Sequence, residues 1–400
     1  MRILISAYAC EPGRGSEPGA GWFWAIAAAA QHEITVLTRA SRAHTISPND
    51  VPPRMTLRFV DLPRPLLRVV RSHERLYYVL WQVVAGVEAS RLHRRERFDL
   101  VHHVTFANAW TPALASMARA PFILGPVGGG PTIPPQLLAE LSRRARFFEC
   151  LRVAVRRINT FNPVIRYGWS RARVIVAQNH ETVEALPREY AAKATVRPHS
   201  VVGPDLERQS RLPRGRDEPG HPVAVLSGRL LPWKGGTIAV HALRRTRQEW
   251  HLEIIGAGPS ETHLRELVYR LRLAARVSFT PWLPREELWR IIRRADAVLV
   301  PSLRDDAPFT IAEAQALGVP VVAFDQGGAA VMGRMSGTSV SLVRPASTAG
   351  AADAFAEALD DIAANGEPRR PSDAFGLGEL ENYVTRLYAS VVGPGSSSRR

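Results

Sequence analysis

Lysine is almost absent from this chain: of 52 basic residues only Lys193 and Lys234 are lysines, and the other 50 are arginines. Cysteine is as scarce, with Cys10 and Cys150 alone. Two cysteines cannot build a disulfide framework, which fits a reducing compartment and points to a cytoplasmic location. Cys10 lies in a glycine-rich loop and reads as a small buried thiol rather than a reactive one. Long apolar runs are missing too. Trp22–Ala30 is the longest near the start and falls well short of a membrane span. Met1–Ser6 lacks the apolar core of a signal peptide and reads as a first strand. No zinc-ligand spacing, RNA-recognition signature or helix-turn-helix pattern is present, so nucleic acid is not expected as a partner.

What is abundant is arginine, and the formal net charge is +15. It is densest over Arg64–Arg97 and Arg143–Arg173. Within Arg143–Ile158 the apolar residues recur at helical spacing, so a basic amphipathic helix is expected there. Its simplest role is a packed helix with a solvated arginine face. The other is a peripheral contact with an anionic membrane, at its inner face.

Four hundred residues exceed what one core usually holds, so two domains are expected. In the first half, strands at Ile3–Ser6, Thr35–Leu37, Leu57–Val60, Leu100–His102, Pro121–Leu124 and Val174–Ala177 alternate with helical stretches at Gly21–Gln31, Leu66–His93, Trp110–Arg119 and Glu181–Leu186. A stretch without periodicity, 203–221, then separates the halves. Strands restart at Val223–Ser227, Leu252–Ile255, Val277–Phe279, Ala297–Val300 and Val321–Ala323, between helices at Gly236–Arg245, Ser260–Leu273, Arg285–Arg294 and Thr310–Leu317. The fold class is therefore α/β, with two doubly wound, Rossmann-like domains in series and the ligand at the carboxyl ends of their strands. The expected boundaries are 1–202, a linker 203–221, a second domain 222–376, and 377–400 as a helix able to cross back, followed by a disordered tail.

The chemistry lies in the strand-end loops of the second domain. Gly228-Arg229-Leu230-Leu231-Pro232-Trp233-Lys234-Gly235-Gly236 joins a buried strand to a helix, which aims backbone N–H groups and a helix N-terminus at the loop and suits phosphate. Arg229 and Lys234 add two cations. In so lysine-poor a chain, Lys234 implies that a compact ammonium is required at that point. Gly256-Ala257-Gly258-Pro259 is a second turn that permits close approach of a flat or anionic group. The third loop, Leu303–Phe309, holds Asp305, and Thr310 opens a helix that carries Glu313. Two such carboxylates accept hydrogen bonds from paired hydroxyls, as ribose and hexose rings offer. Asp325-Gln326-Gly327-Gly328 is the fourth.

This order of loops resembles the retaining glycosyltransferases of family 4, of the GT-B class, whose pattern is G-R-x4-K-G, G-x-G-P, E-x7-E followed by Ala, then G-G. The resemblance spans essentially the whole chain and is strongest over Val223–Gly328. It implies two domains facing across a cleft and transfer of a sugar from a nucleotide diphosphate-sugar to a hydroxyl acceptor. By that resemblance, Arg229 and Lys234 bind the donor diphosphate, Glu313 holds the ribose and Asp305 replaces the glutamate that contacts the donor sugar. Gly228, Gly235, Gly256, Gly258, Phe309 and Thr310 would line the phosphates, and Trp282 and Leu283 the base, although core packing explains Trp282 as well. The first-half segments Cys10-Glu11-Pro12-Gly13-Arg14-Gly15-Ser16-Glu17-Pro18-Gly19 and Gly125-Pro126-Val127-Gly128-Gly129-Gly130 look like a bacterial branch of the family. They mark Gly13, Gly15, Glu17, Gly128 and Gly129 as the acceptor side. His102 and His103 end a strand there. Because neighbours on a strand face opposite ways, at most one is expected to reach the ligand.

Three positions depart from the family. Asp305 is shorter than its glutamate, Val331 stands where G-G-x-x-E has its acid, and Gly125-Pro126 replaces a frequent histidine. Asp305-Asp306 lacks the D-x-D spacing of a metal site, so no metal and no cofactor are expected. The departures leave open a nucleotide-sugar epimerase or another enzyme of the same fold. A basic scaffold that binds a membrane or nucleic acid without chemistry is the reading of a different class.

Overall fold

The computed structural model describes the chain except for residues 71, 107, 214–219, 337–339, 367–369 and 394–400. Residues 214–219 of the expected linker and 394–400 of the expected disordered tail therefore lie outside the described residues. Two compact units are present. One comprises Met1–Gly130, Ala154–Val201 and Leu377–Arg400, and the other Pro131–Val153 and Val202–Gly376.

The first unit is built on a parallel sheet of seven strands: β1 (Arg2–Ala7), β2 (Glu33–Arg39), β3 (Met55–Val60), β4 (Leu100–Thr105), β5 (Phe122–Val127), β6 (Ala172–Ala177) and β7 (Ala194–Val196). Their spatial order is β3-β2-β1-β4-β5-β6-β7. The second sheet has β8 (Val223–Ser227), β9 (His251–Ile255), β10 (Val277–Thr280), β11 (Ala297–Val300), β12 (Val321–Phe324) and β13 (Val340–Val343), in the order β10-β9-β8-β11-β12-β13. Both are the doubly wound order, which reverses between the first and fourth strands of each sheet. The reversal falls between β1 and β4 in one unit and between β8 and β11 in the other.

Continuous apolar runs become strands buried on both faces. In β8, Ala224 and Leu226 join one core cluster while Val225 joins the opposite one. β11 and β12 divide in the same way: Leu299, Val322 and Phe324 go to one face, and Val298, Val321 and Ala323 to the other. Helix Arg285–Arg294 shows how local sequence sets an element. Glu286 and Glu287 occupy its first turn, Arg293 and Arg294 its last, and Trp289 and Ile292 its buried side. The end charges complement the helix dipole.

The structure differs from the sequence reading at several elements. Pro131–Val153 groups with the second unit because Ile133, Leu137 and Leu141 pack into the core around β8 and β9. The stretch read as a linker begins with a helix, Pro204–Ser210, whose Leu206 is buried in the second unit. Trp110–Arg119 holds only a 3-10 segment, Leu114–Ala118. There the Asn108 carboxamide accepts from Trp110 N at 2.8 Å, and Thr111 Oγ1 donates to Asn108 O at 2.7 Å, local bonds that compete with a helix. The helix expected over Leu66–His93 is two, Arg64–Val70 and Glu74–Glu96. The first helix starts at Ser16, five residues early, which puts Glu17 in its first turn. Strands β7 and β13 and helices Gly327–Ser336 and Thr348–Asn365 were not anticipated.

Candidate active site

The loops after β8 and β11 flank the reversal of strand order in the second sheet, the place where open α/β sheets bind ligands. A single 3-10 turn, Pro232–Lys234, and Gly235 in the left-handed region carry the chain from the first loop into helix Gly236–Arg245. Gly235 has φ +70°, and a Cβ there would lie 1.8 Å from Pro301 O, so only glycine lets the loops after β8 and β11 touch. The close approach brings Lys234 Nζ to 2.5 Å from Asp305 Oδ2, across 71 residues of sequence. Both groups are partly buried. Arg229, on the same loop, is exposed.

Gly256 follows β9 with φ +132°, and a Cβ there would sit 2.0 Å from Gly228 O. The glycine turns after β8 and β9 thus pack backbone on backbone, with Gly228 N donating to Ile255 O at 2.9 Å and Leu230 N to Ala257 O at 3.0 Å. The fourth loop joins the third, since Gly328 N donates to Asp305 O at 2.9 Å. Helix Phe309–Ala316 begins directly after Pro308. Thr310 Oγ1 lies 3.5 Å from Ser227 Oγ at the end of β8. The structure therefore brings together Gly228, Lys234, Gly235, Gly256, Gly258, Asp305 and Thr310.

Glu313 is buried on this helix, and its Oε1 accepts from Arg285 at 2.8 Å and from Trp289 Nε1 at 3.1 Å. Arg285 and Trp289 lie one helical turn apart, the spacing that puts two side chains on one face. That i, i+4 pair was the available signal, and the sequence reading missed it. It also missed a network beside Lys234. Arg304 Nε donates to Glu149 Oε2 at 2.9 Å, and its guanidinium lies 4.5 Å from the centre of the Trp233 ring. Arg152 pairs with Glu149 from one turn away at 2.6 Å. Burial alone would push the Glu149 carboxyl up; hydrogen bonds from Arg152 and the charges of both arginines outweigh it and hold the group below its ordinary range. Trp282 is 65% exposed, so core packing does not account for it, while Leu283 packs partly against the core.

The histidines of the first unit are differently placed. Both are fully buried on β4, facing opposite ways. His102 Nδ1 lies 2.8 Å from Tyr388 Oη and Nε2 lies 2.7 Å from Gly125 O, so each ring nitrogen has a protein partner. His103 Nε2 is 3.2 Å from Tyr78 Oη. Burial drives His102 down to about 4 and His103 down to about 3. Gly128–Gly130 is held by its own chain. Ala109 N donates to Gly128 O at 2.9 Å, and Arg156 donates to the carbonyls of Gly129 and Gly130. Gly13 and Gly15 lie in the loop after β1, where Cys10 is buried and its thiol is pushed up to about 12. Glu17 is only partly buried. Helix Arg143–Asn159 exposes Phe147, Phe148, Leu151, Val155 and Ile158 along one side. Among the described residues no helix is long and apolar enough to cross a membrane.

Residues 211–372 match the family described as glycosyl transferases group 1. The chain is 37% identical over 153 residues to a D-inositol 3-phosphate glycosyltransferase of Nocardia farcinica, covering 36% of this chain and 34% of that protein. It is 28% identical over 390 residues to a GDP-mannose-dependent alpha-(1-6)-phosphatidylinositol monomannoside mannosyltransferase of Mycolicibacterium smegmatis, covering 88% of this chain and 97% of that one. The chain thus spans about a third of the first relative and nearly the whole of the second. Among solved structures it is similar to Anabaena HepE in complex with UDP and glucose, with a TM-score of 0.60, 17% identity, and coverage of 98% and 100%. The fold is the GT-B fold, and the match to the group 1 glycosyl transferases is confined to residues 211–372.

Proposed function

We propose that this protein is a retaining, metal-independent hexosyltransferase of family 4 that moves a sugar from a nucleotide diphosphate-sugar to a hydroxyl acceptor. The observation that carries this reading is the Lys234–Asp305 pair, held at 2.5 Å where the strand order of the second sheet reverses. Arg229 and Lys234 face the donor diphosphate, with the amide groups of Phe309 and Thr310 at the helix start beside them. Glu313 takes the ribose hydroxyls, oriented by Arg285 and Trp289. Trp282 and Leu283 serve the base. Asp305 orients Lys234 and contacts the donor sugar. The loops around Gly13, Gly15, Glu17, Gly128 and Gly129 face the acceptor, and His102 and His103 support them from within the sheet.

In the reaction, the bond from the anomeric carbon to the phosphate oxygen breaks and a bond to the acceptor oxygen forms on the same face. The acceptor proton passes to the departing phosphate. Negative charge grows on that phosphate, and preorganised cations stabilise it without a metal. The relatives' names carry GDP-mannose and, in the 2-deoxystreptamine glucosyltransferase of Streptomyces kanamyceticus, glucose. GDP-mannose and UDP-glucose are therefore the first donors to test.

A thermal-shift panel of UDP, GDP, ADP and their sugars tests the reading. One base is expected to stabilise the protein, by about 2.7 kcal/mol at a hundred times the dissociation constant. No shift with any of them removes the proposal. Incubation with and without acceptor then separates transfer from hydrolysis and epimerisation. The exposed row Phe147, Phe148, Leu151, Val155 and Ile158, beside exposed Arg143, Arg144 and Arg157, also supports peripheral attachment to an anionic membrane. Flotation with anionic but not neutral vesicles is the expected result.

A further inference from the structure

A second cluster of chemically competent side chains lies at the opposite ends of the same strands. β8 and β9 are five residues each, so their amino ends are ~16 Å from the glycine loops at ~3.3 Å per residue. His221 precedes β8, His251 opens β9, and Glu249 lies in the turn before it. The imidazoles of His221 and His251 stack with centroids 5.1 Å apart and 17° between their planes. His221 Nδ1 is 3.6 Å from Glu249 Oε2, and the nitrogen and oxygen atoms that the three side chains offer all lie within 4.8 Å of one another.

The backbone beneath these groups is fixed. His251 N donates to Pro222 O at 2.8 Å, and Val223 pairs with His251 in the sheet register. Trp250, between Glu249 and His251, is fully buried. Arg276, the guanidinium whose charge acts on Glu249, is committed elsewhere: it donates to Trp250 O at 2.9 Å, to Thr246 Oγ1 at 3.0 Å and to Leu243 O at 3.2 Å. Among the described residues, no arginine closes off the Glu249 carboxylate with an ion pair.

We propose that His221, Glu249 and His251 form a binding site for a divalent transition-metal cation of the zinc class. Two imidazoles and one carboxylate are a donor set suited to zinc, nickel or copper, whereas magnesium and calcium prefer oxygen ligands. Tetrahedral zinc with bonds of about 2.0–2.1 Å needs its ligand atoms roughly 3.3 Å apart. His221 and Glu249 are exposed and His251 is half-buried, so closing to that spacing falls chiefly to rotations about χ1 and χ2 of His221 and Glu249. Solvent completes the shell, and the ion clips the segment entering β8 to the turn entering β9. The site is separate from the proposed transferase centre and does not rest on that reading. A sequence scan for metal ligands overlooks it because His221 lies 28 residues before Glu249, and only the β8–β9 pairing joins them.

The test is calorimetric titration of the full chain, stripped of metal with chelator, with Zn2+ and separately with Mg2+. Saturable uptake of one Zn2+ per chain is expected, with Mg2+ far weaker. His251→Ala and Glu249→Gln should each weaken Zn2+ by about tenfold or more, as expected when an ion's ligand set is damaged. The double variant His221→Ala/His251→Ala should lose the site. It should also lose the Zn2+-dependent rise in melting temperature while melting like the wild type without metal, which separates lost binding from lost folding. No saturable uptake by the wild type, equal affinity for Mg2+, or unchanged affinity in the double variant overturns the proposal.

Discussion

The two sheets are wound alike, yet the polar groups at their points of reversal have different surroundings. In the second unit, Lys234 and Asp305 meet across loops that remain partly open, and Arg229 stands exposed on the loop after β8. In the first, His102 on β4 has both ring nitrogens engaged and His103 is buried against Tyr78. Even the turn after β5 is occupied by Arg156. The same strand order thus yields a partly open charged loop set in one unit and two buried histidines in the other, of which His102 has both ring nitrogens engaged and His103 only Nε2. A polar residue at a strand end identifies a site only when the fold leaves that residue something to bind.

The sharpest way to break this comparison is at Lys234. Lys234→Ala should lower turnover with a nucleotide-sugar by on the order of 10²- to 10³-fold, as the loss of one preorganised charge does. Steady-state kinetics that stay within a few-fold of the wild type would remove its assigned role. Lys234→Arg should restore little, because a planar fork does not replace a compact ammonium in the glycine turn. Next in size is the backbone beneath the site. Gly256→Ala places a methyl group 2.0 Å from Gly228 O at a φ of +132°, so the second unit should lose about 3 kcal/mol in denaturant unfolding. Retained stability would show that the two glycine turns are not packed as described.

The histidines make a third test through pH. Burial depresses both in the folded state, to about 4 and about 3, below the ordinary unfolded value of ~6.5. Their contribution to stability is therefore present above pH ~6.5 and is lost as pH falls toward those folded values. The loss should approach roughly 1.4 kcal/mol per pH unit for each histidine. Melting curves between pH 7 and 4 should show it, and His102→Gln should make the acid limb shallower; an unchanged limb means that His102 is not held neutral by burial. The smallest effect is expected at Trp282. Trp282→Ala removes an exposed ring, so it should cost nucleotide binding about 1 kcal/mol and leave the melting temperature unchanged. A large drop in stability would instead make it a packing residue.

The second unit was readable because its signals are local. Apolar runs between glycine turns became β8–β12, and Lys234, Asp305 and Glu313 each lie in or just after the loop that its motif marks. The hydrophobic period and the phosphate-type glycine loop act over a few residues, so the order of residues alone determined the two α/β units and the position of the charged loops. The tertiary structure decided everything that depends on distant partners. It drew Pro131–Val153 into the second core through Ile133, Leu137 and Leu141, and gave Glu313 its Arg285 and Trp289 donors. It buried His102 against Tyr388, 286 residues away, and set His221 against His251. Contacts of this kind are chosen by packing and strand pairing across the chain, and no short window of sequence contains both partners.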